Sequence, residues 1–252
     1  MIILVDVGNT RTKYVIGELT ANNLPRIIEN NKITSQWLTQ VWGGANNIII
    51  ASVVFQGVND LICDWARHHH KKLFFVNSET ERFGVTNSYQ QPKTLGVDRW
   101  LALLGAAILY PKTSVVIIDA GTATTVDVLD CNGTHQGGWI LAGVDLLLSS
   151  LRSSTSKVKF ELSHTITPNF GKSTSACVNN AAWAATTSLI NTGIEKAQNE
   201  FNIQYCFLLG GNAERLLPYI EFSKVKIIND LIFHGLKRYS TIERDNLNDI
   251  YT

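Results

Sequence analysis

Short apolar runs recur along the chain, each closed by turn formers or followed by a stretch of helical spacing. The clearest are Ile2–Val5, Tyr14–Leu19, Ile48–Ser52, Leu73–Val76, Val115–Ile118, Val126–Leu129, Phe207–Leu209 and Val225–Ile228. Runs such as Val115-Val116-Ile117-Ile118 lack polar alternation, which predicts strands covered on both faces, as in α/β sheets. Between them, Trp100, Leu103, Leu104, Ala107 and Ile108 fall at i, i+3, i+4, i+7 and i+8 and predict one apolar helix face. A second long helix is predicted from near Thr174 toward Phe201, and the polar stretch Thr241–Thr252 is predicted to fray. The apolar N-terminus stops at Asp6 with no basic stretch before it. It is too short for a signal peptide or for the roughly 20 residues of a spanning helix, so a buried first strand fits it better. No other segment approaches transmembrane length, and no membrane association is expected.

The pattern also repeats internally. Ile2–Ile16 reads IILVDVGNTRTKYVI and Val115–Leu129 reads VVIIDAGTATTVDVL. At constant offset Asp6 matches Asp119, Gly8 matches Gly121 and Thr12 matches Thr125. In both copies an apolar strand ends in Asp-x-Gly, turns through small hydroxyl residues and returns as a second strand. A duplicated hairpin predicts two related lobes facing each other, with the boundary near Pro111: residues 1–111 and 112–252.

Composition narrows the function. The 252 residues are 45% hydrophobic and 17% charged, which is enough for a sizeable core. A formal net charge of +1 provides no field for nucleic acid, so a small-molecule substrate is expected. Cys63, Cys131, Cys177 and Cys206 are scattered without a CxxC pair, the pattern of reduced thiols in a cytoplasmic protein.

Holding a triphosphate requires glycine, so that backbone can approach phosphate oxygens, and donors that meet their charge. Gly8, Asn9, Thr10, Arg11, Thr12 and Lys13 supply backbone N–H groups, hydroxyls, an amide and two cations. Asp6 at the strand end suits Mg²⁺ held through water. Asp119-Ala120-Gly121-Thr122-Ala123 offers a second carboxylate and more hydroxyls, suited to grip the phosphates from the opposite side. A single Asp-x-Gly is also a plain hairpin turn; two copies behind buried strands favour the phosphate reading. Neither GxxxxGK[ST] nor GxGxxG is present.

Other candidates stay open on residues alone. Gly96-Val97-Asp98-Arg99 precedes the apolar helix, with Asp98 either a general base or a helix N-cap; spacing favours the cap. Thr174 is a ligand contact or an N-cap, with the same preference. His68-His69-His70 reads as a charged helix end rather than a metal cluster. Gly210-Gly211-Asn212 passes under an adenine or caps a strand. Gly137-Gly138-Trp139 and Ala142-Gly143 pack near a ligand or between lobes.

Taken together, DVGNTRTK (Asp6–Lys13), GVDR (Gly96–Arg99), DAGTATT (Asp119–Thr125), GGWILAG (Gly137–Gly143) and GKST (Gly171–Thr174) resemble type III pantothenate kinases over nearly the full length. These belong to the acetate and sugar kinase/actin-like superfamily. The resemblance implies an α/β fold of two related actin-like (ribonuclease H-like) lobes, each a mixed sheet flanked by helices. It implies phosphorylation of pantothenate by ATP to 4'-phosphopantothenate, the first step of coenzyme A synthesis. It assigns ATP phosphates to Asp6, Val7, Gly8, Asn9, Thr10, Arg11, Thr12, Lys13 and Thr122. Pantothenate goes to Tyr89, Gly96, Val97, Asp98, Arg99 and Thr174, the last reaching across a homodimer. Asp98 becomes the general base, and Asp119 ligates a monovalent cation (K⁺ or NH₄⁺) beside Mg²⁺. Ala142 stands where the family commonly has proline. Two alternatives remain: a superfamily kinase for another small hydroxyl compound such as a sugar, and a non-enzymatic relative like the accessory factors once described for virulence gene expression.

Overall fold

In the computed structural model each copy of the repeat nucleates its own sheet. The structure describes residues 1–54, 56–154, 158–163, 165–167 and 169–246. The chain divides into two compact units, Met1–Pro111 with the segment from Asp230 onward, and Lys112–Asn229.

The first sheet has the order β3-β2-β1-β4-β5, from β1 (Ile2–Val7), β2 (Arg11–Ile16), β3 (Arg26–Glu29), β4 (Asn47–Ser52) and β5 (Lys72–Phe75). β1, β2 and β3 form an antiparallel meander, whereas β4 and β5 run parallel to β1. Helices α1 (Ser35–Trp42) and α2 (Val58–His68) connect β3 to β4 and β4 to β5, and a small hairpin of β6 (Glu81–Arg82) and β7 (Val85–Thr86) lies between β5 and α3 (Val97–Leu109). Ile3, Val5 and Ile48 pack with Leu38, Trp42, Ile62 and Trp65 in one buried cluster. Tyr14, Trp37, Trp42 and Trp65 meet edge to face at 5.4–6.4 Å, the geometry that ring quadrupoles favour.

The second sheet has the equivalent order, β10-β9-β8-β11-β12. Its strands are β8 (Val115–Ala120), β9 (Ala123–Leu129), β10 (His135–Ala142), β11 (Tyr205–Leu209) and β12 (Val225–Ile227). β8–β10 again form an antiparallel meander, and β11 and β12 again continue parallel to β8. With α4 (Val144–Ser154), α5 (Thr174–Phe201) and α6 (Ala213–Leu216), it buries Val116, Ile118, Trp183, Ile190 and Leu208. Two mixed sheets of one topology, each flanked by helices, are duplicated actin-like lobes.

The last helix, α7 (Leu231–Asn246), lies with the first unit although its sequence position follows the second. It is held there by close contact with α3. Gly105 of α3 faces the Leu231 carbonyl, where a Cβ would come within 2.1 Å, and Gly235 of α7 faces the Leu101 carbonyl at 2.4 Å. The reciprocal glycines let the two backbones touch. This also corrects the one-sided face predicted for α3: Leu101, Ala102, Gly105 and Ala106 are buried together with Trp100, Leu103 and Leu104. Of the stretch predicted to fray, residues 247–252 lie outside the described residues, while α7 continues through Asn246.

Candidate active site

The first loop closes β1 into β2. Asp6 is the penultimate residue of β1 and is 9% exposed; Asn9, Thr10 and Arg11 are exposed, and Lys13 is half-buried. The Gly8 N–H donates to the Arg11 carbonyl at 3.0 Å, and a Cβ on Gly8 would stand 3.1 Å from that oxygen. Val7 is fully buried, so only its backbone can face a ligand. The Thr12 hydroxyl is buried and donates to Asn30 Oδ1 at 2.8 Å, so it braces the loop. Asn30 Nδ2 donates to the carbonyls of Gly8 (2.8 Å) and Asn9 (3.3 Å), and its N–H donates to the Thr10 carbonyl. Asn30 therefore holds the loop's shape. Sequence reasoning missed it because it sits in a polar stretch without a motif.

The segment before α3 is braced in the same manner. Ser78 Oγ donates to the Leu95 carbonyl, and Asn87 Nδ2 to the carbonyls of Glu79 and Pro92. The Tyr89 N–H donates to Asn87 Oδ1 at 3.0 Å. Arg99, 6% exposed, donates from Nη1 to Tyr89 Oη at 2.8 Å. Gly96, not Asp98, is the N-cap of α3, and no side chain caps it. Asp98 lies one residue inside the helix, half-buried, and its Oδ1 accepts the Arg99 N–H at 2.7 Å. A Cβ on Gly96 would come within 2.7 Å of that oxygen, so glycine makes room for the carboxylate. The cap preference drawn from spacing is thus replaced by a carboxylate in the first turn, where the helix dipole favours negative charge. Asp98, Arg99 and Tyr89 come together; they hold a carboxylate and a cation on one turn.

In the second unit Asp119 is the penultimate residue of β8, Thr122 is exposed at the turn, and the Gly121 N–H donates to the Ala123 carbonyl at 2.9 Å. The two turns differ by one residue. Gly8–Arg11 separate the paired Val7 and Thr12, whereas Gly121–Ala123 separate the paired Ala120 and Thr124. The structural counterpart of Thr12 is therefore Thr124, not the Thr125 of the constant-offset match. Two glycines press against this turn. Gly210, at φ +96°, would put a Cβ 2.4 Å from Asp119 Oδ1, and Gly143 would put one 2.4 Å from the Gly121 carbonyl. So the GGWILAG and Gly210-Gly211-Asn212 segments both shape the Asp119 turn, and the Asn212 N–H donates to the Ala120 carbonyl.

Thr174 is exposed at the first turn of α5, and the cap there is Ser173, whose Oγ accepts the Ala176 N–H at 3.2 Å. His68, His69 and His70 are exposed; His68 contacts the Asp64 carbonyl, and the His69 ring packs tilted against Trp65 at 5.2 Å. Among the described residues no group of three or more His, Cys, Asp or Glu is placed to hold a metal. Among the described residues no helix is long and apolar enough to cross a membrane.

A family model for type III pantothenate kinase matches residues 2–196. The type III pantothenate kinase of Colwellia psychrerythraea is 40% identical over 95% of this chain and all of its own length. The chain belongs to the type III pantothenate kinase family. That of Pseudoalteromonas translucida is 34% identical over 83% of this chain and 85% of its own. The chain is accordingly an ATP-dependent small-molecule kinase. A crystal structure described as a conserved Baf family transcriptional activator from Campylobacter jejuni matches 98% of this chain and all of its own, with a TM-score of 0.59 and 20% identity, a likeness of fold. The kinase's α7 lies beyond the matched residues 2–196.

Proposed function

We propose that this kinase transfers the γ-phosphoryl group of ATP to the primary hydroxyl of pantothenate, yielding 4'-phosphopantothenate and ADP, and so opens coenzyme A synthesis. The observation that carries this reading is the turn at Gly96–Arg99: a half-buried Asp98 carboxylate beside a buried Arg99 guanidinium tied to Tyr89. An acid–alcohol substrate needs both, a cation for its carboxylate and an acceptor for its hydroxyl proton. Asp98 receives that proton as the substrate oxygen bonds to the γ-phosphorus and the bond to the β-phosphate bridging oxygen breaks. Most of the acceleration comes from positioning and charge neutralisation. Gly8–Arg11 and Lys13, with Thr122, meet the phosphates; Asp6, Val7 and Thr12 set the first loop.

The residues suit the two cations that this chemistry uses. Asp6 is one carboxylate at a strand end, enough for Mg²⁺ that keeps waters and takes its other ligands from phosphates. Asp119 Oδ1 sits in a notch that a Cβ at Gly210 would fill, and this suits a monovalent ion, K⁺ or NH₄⁺, without octahedral demands. Bound there, the two ions supply positive charge to the phosphates. A homodimer is supported by exposed apolar side chains at Ile140, Leu146, Leu151, Leu162 and Phe170, close in sequence to the exposed Thr174 that would serve the partner's pantothenate. Four free cysteines suit a cytoplasmic enzyme.

The test is ADP release from Mg-ATP and pantothenate, with K⁺ and with Na⁺ alone. Turnover is expected with K⁺ and little with Na⁺. Asp98→Asn should lower kcat by roughly 10²–10⁴-fold, the usual worth of a positioned base. Absence of ADP under every condition would refute the reading, and a K⁺-independent rate would remove the Asp119 cation.

A further inference from the structure

Tyr239 lies on α7, far from every motif, yet its hydroxyl joins two parts of the pantothenate segment within the first unit. It accepts the buried Trp100 Nε1–H at 3.1 Å and donates to Glu79 Oε1 at 2.6 Å. Trp100 follows Asp98 and Arg99 directly, is fully buried, and its N–H donates to the Gly96 carbonyl at 2.9 Å in the first turn of α3. Glu79 begins the braced segment that runs through Asn87 to Tyr89 and so to Arg99. One hydroxyl thereby ties the turn carrying Asp98 to the segment carrying Tyr89.

The surroundings are built to hold that hydroxyl in place. Tyr239 meets Phe83 edge on at 5.2 Å and lies 6.1 Å from Phe74. Phe83 occupies a hairpin turn at φ 52° beside Gly84 at φ 80°, a left-handed backbone that bulky residues rarely adopt. Arg82 and Arg238 both stand over its ring at 5.1 Å. Strain of this kind persists only where neighbours over-determine the conformation. Here the neighbours are one residue of the hairpin itself and two of α7. The glycine-to-carbonyl contacts of α3 with α7 complete the fixture, since they leave the helices no slack along which Tyr239 could drift. Burial and the Glu79 bond also raise the tyrosine's pKa, so it remains a neutral donor throughout the working range of a kinase.

We propose that Tyr239 is a positioning residue for the phosphoryl acceptor: it acts through Trp100 and Glu79 to hold the Asp98–Arg99 turn and the Tyr89 segment in one register. The proposal rests on the pantothenate reading for its kinetic arm. The variant is Tyr239→Phe, which keeps the ring contacts and removes only the oxygen. The expected result is a rise of about tenfold in KM for pantothenate, the worth of a hydrogen bond to a charged group, with KM for ATP within about twofold of wild type. Hydrogen exchange at the backbone amides of Arg99 and Trp100 should accelerate by about the same factor while exchange in β8 and β11 stays unchanged. A merely structural tyrosine would lower the melting temperature and leave both KM values alone, and that pattern would overturn the proposal. If the wild-type protein does not turn over pantothenate, the functional reading falls. The exchange measurement then still decides Tyr239's role: unchanged Arg99 and Trp100 amides overturn it, and acceleration confined to them sustains it.

Discussion

Alanine at Gly105 or Gly235 sets two physical effects of opposite sign against each other. Both glycines lie inside helices, where intrinsic propensity alone makes Gly→Ala stabilising by about 1 kcal/mol. The structure opposes this. A Cβ at Gly105 would stand 2.1 Å from the Leu231 carbonyl oxygen, and one at Gly235 would stand 2.4 Å from that of Leu101. A comfortable carbon-to-carbonyl approach is about 3.3 Å, so the helices must separate by roughly 1 Å. Both obstacles are backbone, which has no rotamer with which to yield. Overpacking of this kind costs about 1–3 kcal/mol, and rigid neighbours push it to the upper part of that range. Net of the propensity gain, each variant should lose about 1–2 kcal/mol, or roughly 2–8 °C in melting temperature for a chain of this size. The double variant should lose less than the sum, because the first alanine already parts the helices. Differential scanning calorimetry on wild type, both singles and the double reads all four values. A single variant that melts at or above wild type would refute the contact argument and leave propensity as the ruling term.

Gly210→Ala combines a strained φ with a collision at Asp119, so it should abolish the K⁺ response proposed for the Asp119 site. Gly211→Ala, with nothing within 4 Å, should leave it intact in the same titration. Ser173→Ala removes the α5 cap and should cost about 1 kcal/mol in denaturant unfolding; Thr174→Ala should leave stability alone and raise KM for pantothenate. Burial pushes the Cys206 thiol up to about 12 from 9.0. The folded state therefore holds that proton more tightly, so this stabilisation is full below pH 9 and is lost as pH rises toward 12. Cys206→Ala should flatten the stability profile in that window, measured by urea midpoints, and native Cys206 should resist thiol reagents that label the exposed Cys131 and Cys177.

The duplicated hairpin was legible because its evidence is local: a buried strand, Asp-x-Gly, and a returning strand, all within 15 residues of each copy. Helix α5 was also legible, and it runs from Thr174 to Phe201, as predicted. The strands that escaped notice were β3, with its mostly exposed residues, the glycine-containing β10, and the two-residue β6 and β7. Edge and hairpin strands carry little of the apolar signal that burial imprints, so their sequences read as loops.

For the candidate site, the sequence by itself determined the residue types that phosphate chemistry needs and their order along the chain. It did not decide what those residues do locally. Whether Asp98 caps α3 or lies inside it, and whether the Thr12 hydroxyl faces a ligand or Asn30, depend on backbone geometry set by neighbours far along the chain. The placement of α7 shows this most fully. Nothing periodic in residues 231–246 says that Tyr239 will meet Glu79, 160 positions earlier, or that two glycines will let α3 and α7 touch. Periodicity encodes which face of an element is buried; it does not encode against what. That choice belongs to the tertiary structure, because only there do close approach, shared hydroxyls and opposing carbonyls acquire their energies.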